Sequence, residues 1–410
     1  MEMLDEKQSP TPTPKYLTYL PHSGLSNQRI ELANALLMAS ILDRTLIIPP
    51  AFLGRVIGWN RKWRSMAQSF EWRTTPKDFD TLCPTIRTSQ RPSSYVESNK
   101  CQSYHDSGVI QWSDLHDLNS LRPYVSFQYS NIISLDHLTS SLGLCGQEVR
   151  YDWRVYEDDK VRHDLHRSHR NYVLNSRGRK EYFHLTSWKD WQQRPEKLLY
   201  LGSIFGVTRL NVVHSDHLAL KNRIAKALIY RMDSPLGKTA SLIVEEYLAR
   251  SAYLAVHFRT ADKMFSKDLD IHMRNTSQKI EQTLALPQQA PFSFCNLTST
   301  VITPPSSNSN IYMATDHTHP RQRNSTLAPW FEQYPCTITL NDIPSSYFKH
   351  LDSFYDLIQP TKPLKRFLMP LVDSMVAAKA SQVYLTPKST FSNYIRQLHD
   401  AWLPEGGIST

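Results

Sequence analysis

The chain has 410 residues, 40% of them hydrophobic and 21% charged, with a formal net charge of +9. That length and balance fit two domains of roughly 200 residues, each able to bury its own core, and exclude a chain that is disordered throughout. The positive charge favours an anionic partner such as a phosphate, a sulfated glycan, a nucleic acid or a membrane surface.

Residues 1–14 are charged and Pro-rich and read as a flexible tail without the apolar core of a signal peptide. No apolar run of about 18 residues occurs, so neither a leader nor a membrane anchor is expected in this chain. Tyr16–Leu20 reads as a buried strand, followed by the loop PHSGLSNQR. From Gln28 to Leu42 the apolar positions Ile30, Ala33, Leu36, Leu37 and Ile41 recur at helical spacing, and Arg44–Ile48 returns to strand before Pro49 and Pro50 end it. A βαβ unit of this kind opens a doubly wound sheet. Residues 51–197 are rich in Trp and Tyr without a clean period, so elements there cannot be placed.

Leu198–Phe205 reads as a buried strand, Ser234–Leu248 as a helix and Tyr253–Phe258 as a second strand, which sets a domain boundary near residue 230. Beyond the polar loop Asn296–Asn310 come the strand IYMAT, a short strand at Thr337–Leu340, a helix over Lys365–Ala380, a strand at Val383–Leu385 and a helix over Ser389–Leu398. The fold expected is α/β, with two Rossmann-like domains, residues 15–230 and 231–410, facing a cleft.

Four segments could carry chemistry. Gly24 permits a tight turn and Asn27 can cap the first helix, at the sheet end where ligands bind; a plain capped turn fits equally. His257 and Arg259 fall on one face at the end of the strand YLAVHF, where Arg259 reads either as a phosphate ligand or as half of a structural ion pair. Ser389, Thr390, Phe391 and Ser392 open a helix whose free amides suit a phosphate, while simple capping by Ser389 or Thr390 is the plainer reading. Asp316, with His317 and His319 beside it, ends IYMAT and is also explained by turn chemistry.

Walker A, GxGxxG and GxSxG motifs are absent, and 12 glycines leave little for a Gly-rich cradle. The pairs Asp78/Asp80 and Asp268/Asp270 resemble diphosphate-metal motifs but follow no apolar strand, so no metal is expected. His163, His166 and His169 repeat every three residues and read as a solvated helix face rather than a zinc site. Cys83, Cys101, Cys145, Cys295 and Cys336 are too scattered for a disulfide scaffold but allow one or two bridges. Glycosylation patterns occur at Asn275, Asn296 and Asn324.

The ordered set SGLSNQR, DRTLIIPP, AVHFR, YMATD, FLMPLVDSMVAAKA and STFSNYI, spanning residues 16–400, resembles the GDP-fucose protein O-fucosyltransferases and their fungal relatives. The resemblance implies a GT-B-like fold and metal-free transfer, with inversion, of fucose from GDP-fucose to a protein Ser/Thr or glycan hydroxyl. It implies that Arg259 assists departure of the diphosphate. It further implies that His257, Ser389, Thr390, Phe391 and Ser392 line the nucleotide site, Asp316 and Asp373 lie near nucleotide and ribose, and Gly24 and Asn27 lie in the loop approaching donor and acceptor. Physical reasoning agrees on Arg259, because leaving-group charge needs a cation. Some members place a glutamate base before the loop glycine; here Ser23 stands there, preceded by His22, which could serve as base. Without a carboxylate base, a non-catalytic nucleotide-sugar or carbohydrate binding module on the same fold is the alternative. The secretory pathway is implied by the family, though the N-terminus carries no signal for it. The basic middle region, including Arg61, Lys62 and Arg64, would form an acceptor groove. A nucleic-acid partner rests on charge alone and is not expected.

Overall fold

A computed structural model of the protein describes residues 14–57, 63–75, 101–102, 104–152, 161–164, 184–187, 191–202, 204, 210–212, 214–248, 253–284 and 310–403. The chain divides into two compact units, one of residues 1–104 and 118–227, the other of residues 105–117 and 228–410.

The first unit begins with β1 (Tyr16–Tyr19), α1 (Leu25–Ile41), β2 (Thr45–Ile48), β3 (Ala51–Gly54) and α2 (Trp63–Thr74). The strand β4 (Ser107–Ile110) then joins the second unit. Back in the first unit follow β5 (Phe127–Tyr129), β6 (Val149–Asp152), β7 (Val161–Asp164), β8 (His184–Ser187), β9 (Leu198–Leu201), β10 (Leu210–Asn211) and α3 (Ser215–Ala227). Its main sheet is parallel in the order β5-β2-β1-β9-β6, and β10-β7-β8 form a smaller parallel sheet. Helix α1 makes the crossover between β1 and β2 that parallel pairing requires. Leu32, Leu36 and Ala39 on α1, and Leu17 and Leu46 on the strands, are fully buried.

The second unit adds α4 (Pro235–Leu242), β11 (Tyr253–Phe258), α5 (Leu269–Leu284), β12 (Asn310–Thr315), β13 (Ile338–Thr339), α6 (Lys365–Ala378), β14 (Gln382–Leu385) and α7 (Thr390–Trp402). Its sheet is parallel throughout, in the order β13-β12-β11-β14. Alternation along β11 sorts its side chains. Leu254, Val256 and Phe258 join a cluster with Leu269, Met273 and Trp330. Tyr253, on the other face, donates its hydroxyl to Val376 O of α6 at 2.5 Å.

Several expected bounds move. Helix α1 begins at Leu25, not Gln28, with Gly24 as a cap that supplies no side-chain bond, so Asn27 lies inside the first turn and does not cap. The helix expected to run to Leu248 ends at Leu242 and passes into a π-type turn, Ile243–Tyr247. The strand expected to reach Phe205 ends at Leu201. Ser234 and Ser389 cap α4 and α7, accepting the amides of Gly237 and Ser392. His163 stands in strand β7, not on a helix; His166 and His169 lie outside the described residues. No helix among the described residues is long and apolar enough to cross a membrane.

Candidate functional site in the second unit

The carboxyl ends of β11, β12 and β14 lie side by side, because His257 pairs with Ala314 on one side and Leu385 on the other. Parallel sheets bind ligands at this end, where strand-end side chains and helix N-termini converge. A cavity of about 410 Å³ lies there, lined by His257, Arg259, Asp316, Pro370, Asp373 and Phe391 among others. These residues are distant in sequence and are brought together by strand register.

Arg259 follows β11 directly. Its terminal nitrogens meet Asp262 Oδ2 and Asp316 Oδ2, each at 3.1 Å, and about a third of the side chain remains exposed. Both readings of Arg259 therefore meet in one residue, which is ion-paired and also lines the cavity. Asp316 does more than pair with it. Oδ1 accepts the Thr260 amide at 2.7 Å and the Thr260 hydroxyl at 2.9 Å, and Oδ2 accepts the Ala261 amide at 3.0 Å. The carboxylate thus fixes the turn that carries the guanidinium. Thr386 fixes the other side: its hydroxyl donates to His257 O at 2.6 Å and accepts the Arg259 amide at 3.1 Å.

His257 is buried, with Nδ1 2.6 Å from Ser392 Oγ and its ring 5.0 Å from that of Phe391. Burial, resisted by Asp316 and reinforced by Arg259, lowers its pKa to about 3, so the ring stays neutral. Asp373 is also buried. It accepts the Tyr312 hydroxyl at 2.6 Å and the Thr315 amide at 3.2 Å, yet burial outweighs both bonds and raises its pKa to about 7.

At the start of α7, Ser389 Oγ accepts the Ser392 amide at 3.3 Å and Ser392 Oγ meets His257. Both serines are buried. Their hydroxyls are thus engaged in building the site, which is the plainer reading for Ser389, whereas Thr390 and Phe391 are half-buried in the first turn. That turn carries the positive end of the helix dipole.

The remaining expected residues lie elsewhere. Gly24 and Asn27 belong to the first unit, as does His22. Gly24 has an ordinary φ of −75°; the left-handed residue in that loop is Ser23, at φ +66°. Asn27 Oδ1 is buried without a hydrogen-bond partner among the described residues. His22 is 3% exposed with both ring nitrogens engaged, so it does not present a base to a substrate directly. Asp268 and Asp270 flank the start of α5, and no group of three metal-ligating side chains occurs among the described residues. Asp78, Asp80, Asn296, Arg61 and Lys62 lie outside the described residues, as does the side chain of Arg64. Asn275 and Asn324 are exposed. Cys101 and Cys336 are each disulfide-bonded, and Cys145 is free.

Sequence reading missed Thr260, Tyr312, Thr315 and Thr386. Each stands within two residues of a strand end or on the strand itself, which is the one signal that could have marked them.

The class defined by this fold and site is an α/β protein of parallel sheets with a polar, arginine-bearing cavity at strand carboxyl ends. No family model matches the chain. A stretch of 36 residues, 9% of the chain, is 72% identical to O-fucosyltransferase 30 of Arabidopsis thaliana, and spans only 7% of that relative's length. Among solved structures the chain is similar to POFUT1 in complex with GDP-fucose, at 12% identity, covering 95% of each chain with a TM-score of 0.42. It is also similar to the fucosyltransferase NodZ from Bradyrhizobium, at 14% identity, covering 94% of this chain and 92% of that one with a TM-score of 0.41.

Proposed function

We propose that the protein is a GT-B-like glycosyltransferase that transfers fucose from GDP-fucose, with inversion and without metal, to a hydroxyl of a protein Ser/Thr or of a glycan. The observation that carries the reading is the convergence of Arg259, Asp316, Asp373, His257 and Phe391 on one cavity at the strand ends. The 36-residue match to an O-fucosyltransferase and the ordered motifs support the same family.

In this reading Arg259 neutralises charge that builds on the diphosphate as the glycosyl bond breaks, a role a fixed guanidinium performs without a metal. The first turn of α7 adds its dipole at the same end of the sheet. His257, kept neutral, adds no second charge and orients Phe391 as an apolar wall. Asp373 accepts a ribose hydroxyl when ionised and donates to one when protonated.

The ion pairs of Arg259 favour one competing reading, a binding module in which the arginine only shapes the pocket. Thermal-shift titration with GDP, UDP and GDP-fucose in EDTA, beside GDP release from GDP-fucose, separates them. Stabilisation by the guanine compounds with release of GDP supports the transferase. Stabilisation with no release leaves the binding module, and no shift with any nucleotide overturns both.

A further inference from the structure

A second cavity of the second unit, about 830 Å³, shares no lining residue with the cavity that Arg259 lines. It runs beside β14, the end strand in the order β13-β12-β11-β14, whose pairing with β11 leaves the other edge without a strand partner among the described residues. Ser381, Gln382, Val383, Tyr384 and Leu385 all line it. Successive residues of a strand point to opposite faces, so a cavity that touches five in a row lies along the edge, where backbone groups are presented. Helices make the two walls. His272, Lys279 and Thr283 come from α5, and Arg396 and His399 from α7, in each case spaced to share one helix face.

The charge of this trough has one sign. Its lining includes Lys279 and Arg396 but no Asp or Glu, and neither cation has a carboxylate partner among the described residues. In a chain of net charge +9, cations left unpaired along a concave surface favour an anionic ligand. Arg396 does make one bond, Nη2 donating to Val383 O at 3.2 Å, so a side chain from α7 caps the backbone of the end strand. Charged side chains placed there guard an edge against unselected pairing. A ligand that brings both an amide for Val383 O and a carboxylate for the released guanidinium replaces this cap without loss, which a neutral strand cannot do. On the opposite wall His272 Nε2 is hidden from solvent and has no hydrogen-bond partner among the described residues, a polar atom that the trough leaves unsatisfied. The Tyr384 hydroxyl lies 2.7 Å from Thr283 Oγ1 and donates to Gln382 Oε1 at 2.9 Å, so strand and α5 are braced before anything enters.

We propose that this trough takes an acidic segment of a partner protein, bound in extended form as an added strand on β14. The backbone of the segment pairs with the edge, the common mode of strand addition, and its carboxylates meet Lys279 from one wall and Arg396 from the other. The site stands wholly within the second unit and needs neither the strand-end cavity nor any transfer reaction. An anionic glycan offers the charge but no backbone amides, so the end strand favours the peptide over it.

The probe is a fluorescein-labelled hexapeptide in which Glu alternates with Val, titrated with the full chain at low salt and read by anisotropy. Beside it run the same peptide N-methylated on alternate residues, in both registers, which keeps the charge and removes amide donors, and a heparin-derived hexasaccharide as the anionic glycan. The unmodified peptide is expected to bind, and methylation in one register to weaken it about 10-fold or more. Lys279→Glu reverses the charge of one wall on an exposed residue, and is expected to weaken the peptide about 10-fold with Tm unchanged. Arg259→Ala is expected to leave peptide binding as it is. Equal affinity for the peptide and both methylated forms overturns strand addition, as does binding of the hexasaccharide alone. Unchanged affinity in Lys279→Glu, or a wild-type protein that does not bind the peptide, overturns the site and leaves the transferase reading untouched.

Discussion

Asp316 holds Arg259 through Oδ2 at 3.1 Å while the same carboxylate takes the amides of the two residues after the arginine. The guanidinium is therefore placed by its own turn as much as by its ion pair, and a ligand can replace the pair without unfolding the turn. Arg259→Ala is expected to abolish the thermal shift with GDP and to lower donor turnover at least 100-fold, as lost electrostatic stabilisation does, while the protein still melts cooperatively. Asp316→Asn is expected to weaken GDP binding and to lower stability by about 1–3 kcal/mol, because an amide cannot accept all the bonds made now. Calorimetric titration beside a melting curve reads both; unchanged GDP affinity in Arg259→Ala would remove that residue from the site.

His257 and Asp373 give stability two opposing responses to pH. His257 loses its proton near 3 in the fold against 6.5 ordinarily, so the unfolded chain binds the extra proton and stability falls as pH drops through that window. Asp373 keeps its proton to about 7 against 3.8 ordinarily, so the folded chain binds the extra proton and stability falls as pH rises through its window. Where the windows overlap, slopes of about 1.4 kcal/mol per pH unit cancel. Denaturant melts from pH 4 to 6.5 should show stability falling with pH in His257→Asn and rising in Asp373→Asn. A shared sign in the two variants would refute the assignment.

Thr386 touches no expected ligand, yet it joins the ends of β11 and β14 through both atoms of its hydroxyl. Thr386→Val removes these bonds at nearly constant volume. It is expected to cost about 1–3 kcal/mol and to weaken GDP binding several-fold, whereas Thr386→Ser should restore both. Chemical denaturation and the GDP titration measure the pair of effects, and a valine variant with wild-type binding would show that Arg259 needs no such brace.

Gly237 is fixed by packing rather than by a turn. A Cβ there would meet Met232 O at 2.4 Å and Arg231 O at 2.5 Å, both backbone atoms that cannot swing aside. Gly237→Ala is expected to destabilise by about 2 kcal/mol, despite alanine's helix propensity, and to lower Tm by several degrees. An unchanged Tm would show that the turn before α4 yields freely.

The strands β1, β11 and β12 were legible because each is an apolar run closed by polar residues, and register then delivers Arg259 and Asp316 to one end. The start of α1 was not, since Gly24 caps it without a side chain and periodicity becomes visible only further along. His22 was legible as a polar residue of the loop but not as a buried one, because its partner Glu31 sits on the inward side of a helix where a carboxylate is unexpected. The site-building hydroxyls were hidden for a different reason. Thr386 and Ser392 act through backbone and ring atoms of residues more than a hundred positions away, which no local pattern encodes.

The second unit is sewn shut by a segment from the first half of the sequence. The Val109 amide donates to Asp356 Oδ2 at 2.8 Å across 247 residues, Leu357 returns an amide to Val109 O at 2.9 Å, and Leu364 occupies the space that a side chain on Gly108 would need. During synthesis these residues leave the ribosome long before their partners exist, so the unit bearing the arginine cannot finish folding until the chain is nearly complete. Residues 228–410 alone would lack these contacts, and adding the peptide 105–117 in trans should restore a cooperative melt that the fragment by itself does not show.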